Sequence, residues 1–303
     1  MIHKSFKHGE NFRIGEFCHI HEDCQVGDNV QIRSHVELRA GTVIGDNCYI
    51  DSGVKSSGQN KIGDNVIIRY DSIIARYVKV EDDVFISPQV MTIYLDHKRE
   101  KNPGTVIGRG AFIATQALLG ASVKIGPETV IGSQAFVENC VIGRRCMIRA
   151  GVKIGSKGLN VKRDDNGKLH GQKARGKVIL EDFVDVGASS VINRGVEGDT
   201  VIGENTFIGP LVDIGHDTKI GKSCIIGTSS LICGHVEIGD YARVSPESTL
   251  KNRVKIGERA FVGIGSLVMK DVLAGQTVVG RPAVDIEKLR ARKRQRNNAT
   301  VEE

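Results

Sequence analysis

The chain has 303 residues with 36 glycines, 6 prolines and no tryptophan, a glycine-rich and aromatic-poor balance that points to repetition rather than an ordinary mixed core. Its net charge of +6 is matched by six cations near the C-terminus, Lys288, Arg290, Arg292, Lys293, Arg294 and Arg296, so the body is neutral and the tail reads as a solvated helix, not a nucleic-acid-binding element. No run is apolar enough to span a bilayer and the start MIHKSFKHGE lacks the apolar stretch of a signal peptide, so a cytoplasmic protein without a membrane span is expected.

From Ile14 onward an aliphatic side chain recurs every six positions through Ile20, Val26, Ile32, Leu38, Ile44 and Ile50, then from Ile62 to Ile86, with Ser56 alone out of phase. Neither a helix nor a simple alternating strand gives that period. Three short strands and tight corners per turn do, so the aliphatics should point into a triangular prism and stack on their equivalents eighteen residues away. After a polar interruption at 92–106 the phase resumes from Ile107 to Val137, slips by one residue, and continues at Ile142, Ile148 and Ile154. A second interruption, the basic and glycine-containing stretch 156–177, precedes Leu180, Val186 and Ile192; the repeat is stretched around Gly198 and then runs unbroken from Ile202 to Val268.

The expected organisation is therefore an all-β, parallel β-helix: a first block 1–155 carrying loop 92–106, an inserted loop 156–177, a second block 178–280, and a C-terminal helix with the basic tail at 281–303. Cys18, Cys24, Cys48, Cys146 and Cys224 fall at core-facing hexad positions, and no CxxC pair is present, so they read as small hydrophobes.

In a solenoid the repeats are scaffold, and function is sought where they fail or carry titratable corners. The first interruption holds Tyr94, Asp96, His97, Lys98 and Arg99; the histidines of the first coils, His3, His8, His19, His21 and His35, have no loop beside them and are set aside. His216 stands at a corner next to Asp217, a carboxylate able to orient an imidazole, and His235 lies one coil further along nearly the same edge. A histidine suits a general base because its pKa is close to working pH.

Over roughly residues 12 to 283 the hexad pattern resembles the hexapeptide-repeat acyltransferase superfamily, which implies a left-handed helix and a homotrimer with active sites in the grooves between subunits. Residues 176 to 221, GKVILEDFVDVGASSVINRGVEGDTVIGENTFIGPLVDIGHDTKIG, resemble the UDP-3-O-(3-hydroxyacyl)glucosamine N-acyltransferases, and IGHDTKIG is also similar to the nucleotide-linked 4-amino-sugar N-acetyltransferases. The resemblance implies His216 as general base, Asp217 as its partner, and Asn193, Arg194 and His235 as substrate contacts. Both families carry an N-terminal domain ahead of the coils, whereas coils begin here almost at once.

The segment VFISPQVMTIYLDHKRE resembles sugar acetyltransferases whose loop delivers the histidine, which makes His97 the alternative base and Tyr94, Asp96, Lys98 and Arg99 substrate contacts. The ending FVGIGSLVMKDVLAGQTVVGRPA, residues 261 to 283, resembles coenzyme A-dependent members, implying cofactor contacts at Gly263, Lys270 and Arg281, and Gly234 is expected as a further cofactor contact. The expectation is an acyl-CoA-dependent N-acyltransferase acting on a dTDP- or UDP-linked amino sugar, with sugar O-acetylation or an acyl-carrier-protein donor as alternatives. A γ-class carbonic anhydrase would need a third histidine at complementary spacing beside His216 and His235, so no metal is expected; a non-catalytic scaffold would leave the charged interruptions idle.

Overall fold

In a computed structural model that describes residues 1–93 and 104–280, strands of mostly two residues wind into three parallel sheets of 13, 14 and 13 strands. Each strand pairs with its equivalent one coil away. Ile68, for example, faces Ile50 on one side and Ile86 on the other, and the column continues through Ile113, Ile131 and Ile148. These aliphatics are fully buried, so every coil adds side chains worth about 1.5–3 kcal/mol each on removal from water. The prism anticipated from the six-residue period is what forms.

The corners explain the polar half of the repeat. One residue per corner adopts left-handed backbone angles, with Asn11, Asn29, Asn47 and Asn65 at φ 53, 56, 56 and 56. Asparagine tolerates that region better than other side chains, and here it also stacks: Asn11 donates to Asn29 at 2.9 Å and Asn29 to Asn47 at 3.1 Å. Beside it runs a column of aspartates in which Asp46 accepts from the Asp28 N–H and Asp64 from the Asp46 N–H, both at 2.8 Å. The columns satisfy corner groups that the sheets leave unpaired.

Ser56 keeps its register with Leu38 and Ile74. Its hydroxyl points inward and joins a buried polar knot, 2.7 Å from Thr42 Oγ1 and donating at 2.5 Å to Asn60 Oδ1, while Asn60 Nδ2 donates to the Ala75 carbonyl. All seven cysteines are free, and six are buried. Burial pushes the Cys48 and Cys146 thiols up to about 11, as expected of packing residues.

The second interruption is more ordered than a loop. Lys153–Lys157 extends a sheet strand past the prism, and Val161–Arg163 then pairs antiparallel with Leu169–Gly171. The Asp164 carboxylate closes the connecting turn by accepting from the Asn166 and Lys168 N–H groups and from His170, and the imidazole contact leads the effects that hold its pKa low. The sheets continue across this insertion, with Met147–Ile148 paired to Asp185–Val186. Tyr94, Asp96, His97, Lys98 and Arg99, together with Arg281 and the expected C-terminal helix, lie outside the described residues. Among the described residues no helix is long and apolar enough to cross a membrane.

Candidate active site

In one sheet Ile192, Ile214, Ile232, Leu250 and Val268 face one another in successive coils. Two positions past the last four lies a corner, which puts His216, Gly234, Asn252 and Lys270 along a single edge of the solenoid, while the strand Val191–Arg194 runs on past Ile192 and ends in Arg194 one coil before His216. Beyond a shift in register after Ile154, Lys157 is the strand partner of Arg194. Strand spacing of about 4.8 Å sets Arg194 one coil from His216 on one side and Lys270 three coils, roughly 14 Å, on the other.

Asp217 is the best-anchored group on this edge. The stretch around Gly198 folds into a turn whose Val196, Glu197 and Gly198 N–H groups all donate to its carboxylate, at 2.9, 3.0 and 2.7 Å. His216 Nδ1 lies 2.8 Å from Oδ2 of the same carboxylate. Burial alone would raise the pKa of Asp217; the three backbone donors and the imidazole together outweigh it and hold the acid below its ordinary value. Asp217 is therefore an ionised, acceptor-only group.

That assignment fixes the imidazole. With a carboxylate as partner, His216 Nδ1 must carry the proton, which leaves Nε2 as the basic lone pair. The two side chains are only 14% and 7% exposed, so the pair is held out of bulk water. His235 packs edge-on against His216, ring centroids 5.1 Å apart, with its Nε2 3.9 Å from the Asp217 carboxylate, a distance too long for a hydrogen bond. The two histidines are thus partly buried and coupled to one acid, not isolated on the surface.

Gly234 borders the basic nitrogen. A Cβ at this position would stand 2.9 Å from both Cε1 and Nε2 of His216. Most corner glycines instead approach the backbone of the following coil, as Gly126 and Gly187 do, so the requirement at Gly234 comes from the imidazole. Its own N–H makes no hydrogen bond among the described residues.

Asn193 donates through Nδ2 to Asp213 Oδ1 and to the Ile214 carbonyl, both at 3.1 Å, which ties the coil before His216 to the strand that carries it. Burial raises the pKa of Asp213 despite that bond. Arg194 Nε is buried without a hydrogen-bond partner. Of the other expected contacts, Gly263 packs against Val279 and its carbonyl accepts from the Ser248 and Ser266 hydroxyls, a packing role, while Lys270 is exposed on the shared edge.

His216, Asp217 and His235 offer ligand atoms within 4.8 Å of one another, the spacing of a metal site. The donor set argues otherwise. Each Asp217 oxygen already accepts two donors, Oδ1 from Glu197 and Gly198 and Oδ2 from Val196 and His216, so a cation would have to displace bonds that organise the turn. The geometry suits a positioned base better than a metal cage. Sequence reasoning missed the Val196–Gly198 anchor and Asp213; the stretched hexad at Gly198 was the signal for the first.

Family-level comparison matches residues 199–234 and 217–252 to the bacterial transferase hexapeptide (six repeats), residues 138–157 to the hexapeptide repeat of succinyl-transferase, and residues 1–103 to the GMPPB C-terminal domain. The UDP-3-O-acylglucosamine N-acyltransferase of Caulobacter vibrioides (strain NA1000 / CB15N) is 45% identical over 153 residues, 50% of this chain and 45% of the relative. That of Caulobacter sp. (strain K31) is 34% identical over 149 residues, 49% of this chain and 44% of the relative. The chain thus spans about half the length of the curated relatives it matches. Among solved structures, LpxA from Acinetobacter baumannii superposes with a TM-score of 0.55 at 24% identity, covering 66% of this chain and 75% of that one, a likeness of fold. The coil register and the repeat matches agree that the matched residues are hexapeptide repeats, and the fold they build is shared with that structure.

Proposed function

We propose that the chain is an N-acyltransferase that moves an acyl group from a thioester to the amino group of a UDP-linked amino sugar, with His216 as general base. The observation that carries this reading is the His216–Asp217 pair with Nε2 facing the space that Gly234 keeps open. Its chemistry fits a reaction that needs one proton taken from an amine. His216 Nε2 accepts that proton, the amine lone pair attacks the thioester carbonyl, and the Gly234 N–H donates to the developing oxyanion. When the tetrahedral adduct collapses, the C–S bond breaks and the proton on His216 passes to the departing thiolate.

The choice of a UDP-amino sugar rests on the names of the Caulobacter relatives. Coenzyme A is the proposed donor because Lys251, Arg253 and Lys270 place exposed cations along the same edge beyond His216, within reach of a phosphate-bearing arm. Self-association into a trimer is supported by an outward apolar column, Tyr49, Ile67, Phe85, Phe112, Val130 and Met147, with Phe85 and Phe112 stacked at 5.3 Å. Such a column invites burial against another copy.

The test is thiol release from acyl-CoA, and from an acyl carrier protein in parallel, with UDP- and dTDP-amino sugars as acceptors. His216→Ala is expected to lower turnover about a hundredfold or more. Full activity in that variant, with loss in His97→Ala, would move the base to the first loop; a product acylated on oxygen would replace amine by hydroxyl as nucleophile.

A further inference from the structure

We infer that the root of the inserted hairpin is a binding site for a diphosphate, with Arg194 at its floor; the identity of the diphosphate as the acceptor's rests on the acyl-transfer reading above. Arg194 Nε is a buried donor with no acceptor among the described residues. A guanidinium left in that state calls for an anion, and phosphoryl oxygens match its planar fork.

The surroundings supply further positive charge. Lys157 sits opposite Arg194 past a shift in the strand register, and Gly158 packs onto Asn193. The returning limb of the hairpin is laid along the same turn: the Arg175 N–H donates to the Val196 carbonyl at 3.2 Å, Gly176 to Gly195 at 3.1 Å, and Lys177 to the Asp199 carboxylate at 2.9 Å. None of Lys157, Arg175, Lys177 or Arg194 is in an ion pair among the described residues, whereas Arg144, Arg145 and Arg149 each face a carboxylate. From Lys157 to Lys177 the chain carries seven Lys or Arg against Asp164 and Asp165, and Asp164 is consumed by the hairpin turn.

The position assigns a role. This turn is the one whose N–H groups hold Asp217, so an anion on Arg194 sits about one coil from His216. Lys251, Arg253 and Lys270 lie on the opposite side of the base. A donor whose phosphates use that far end leaves the hairpin root to the nucleotide diphosphate of the acceptor, with the sugar amine reaching back to Nε2.

Titration calorimetry on the full chain with UDP and with coenzyme A tests this. Arg194→Gln is expected to weaken UDP binding by about tenfold or more, with Arg194→Lys recovering part of it and coenzyme A affinity unmoved. If Arg194→Gln does not fold, the exposed double variant Lys157→Gln/Arg175→Gln carries the same expectation. Loss of coenzyme A affinity instead of UDP affinity upholds the diphosphate site and assigns it to the donor. A wild-type chain that binds neither ligand, or folded variants with both affinities unchanged, overturns it. His216→Ala should bind UDP normally while losing turnover; if it keeps turnover, the base assignment fails and the anion site stands on its own binding data.

Discussion

Gly234→Ala isolates the geometry of the base from everything else in the fold. Gly234 is not among the residues with left-handed φ, so alanine is acceptable to the backbone there. The added carbon would meet Cε1 and Nε2 of His216 at 2.9 Å and Cδ2 at 3.3 Å. The ring can retreat only by lengthening its 2.8 Å bond to Asp217, and Asp217 is pinned by three backbone donors. A displacement of about 1 Å at a reacting group costs on the order of a hundredfold in rate, and overpacking of this size costs about 1–3 kcal/mol in stability. The expected outcome is a folded protein with kcat/KM down about a hundredfold and UDP affinity retained. Gly171→Ala, where an added Cβ has nothing within 4 Å, is the control. Thiol-release kinetics alongside circular dichroism decide the matter: wild-type turnover in a folded Gly234→Ala protein would refute the placement of Nε2 against this glycine.

Two further outcomes follow from the buried polar groups. Asp217 has a lowered pKa in the folded chain, so its ionisation contributes stability that is full above the ordinary aspartate value of about 3.9 and is lost as pH falls below it. Asp217→Asn should be less stable than wild type at neutral pH by about 2–4 kcal/mol, since an amide cannot accept from all four donors, and the gap should narrow as the pH falls below 4; a constant gap in guanidinium midpoints would count against the carboxylate. Ser56→Val restores the aliphatic period yet strands Asn60 Oδ1, while Thr42 keeps its bond to the Arg39 carbonyl, so it should destabilise by about 1–3 kcal/mol. A raised denaturation midpoint would show that the polar knot is dispensable.

The fold was legible because a six-residue aliphatic period admits few chain paths, and residues such as Ile50, Ile68 and Ile86 had to stack once it was granted. The His216–Asp217 pair was legible for a local reason: adjacent residues at a corner share an edge whatever the rest of the chain does. What stayed hidden depends on contacts across coils. Asp217 draws its donors from a turn about twenty residues earlier, and nothing in VEGDT marks those N–H groups as aimed at a carboxylate. The hairpin within 156–177 is not legible in the sequence because its paired strands are three residues each and fully exposed, so no apolar alternation announces them. Ser56 reads as a break in the aliphatic repeat because hydrophobic periodicity has no way to represent a buried hydroxyl satisfied by Asn60.

The left-handed corner bears on how such a site can arise. Asp217 and His235 both sit at φ 59, the value that Gln89, Ser189 and Tyr241 take at the same kind of corner elsewhere in the solenoid. The residues around the base therefore impose no backbone distortion of their own; they occupy a shape the scaffold already repeats at corner after corner. Side-chain exchange alone can write or erase chemistry at such a position, and the distance between a base and its ligand-holding groups can change only in whole coils. A solenoid of this kind works as a ruler, and lengthening or shortening it by one coil between His216 and Lys270 would retune the size of the molecules it spans without redesigning the base.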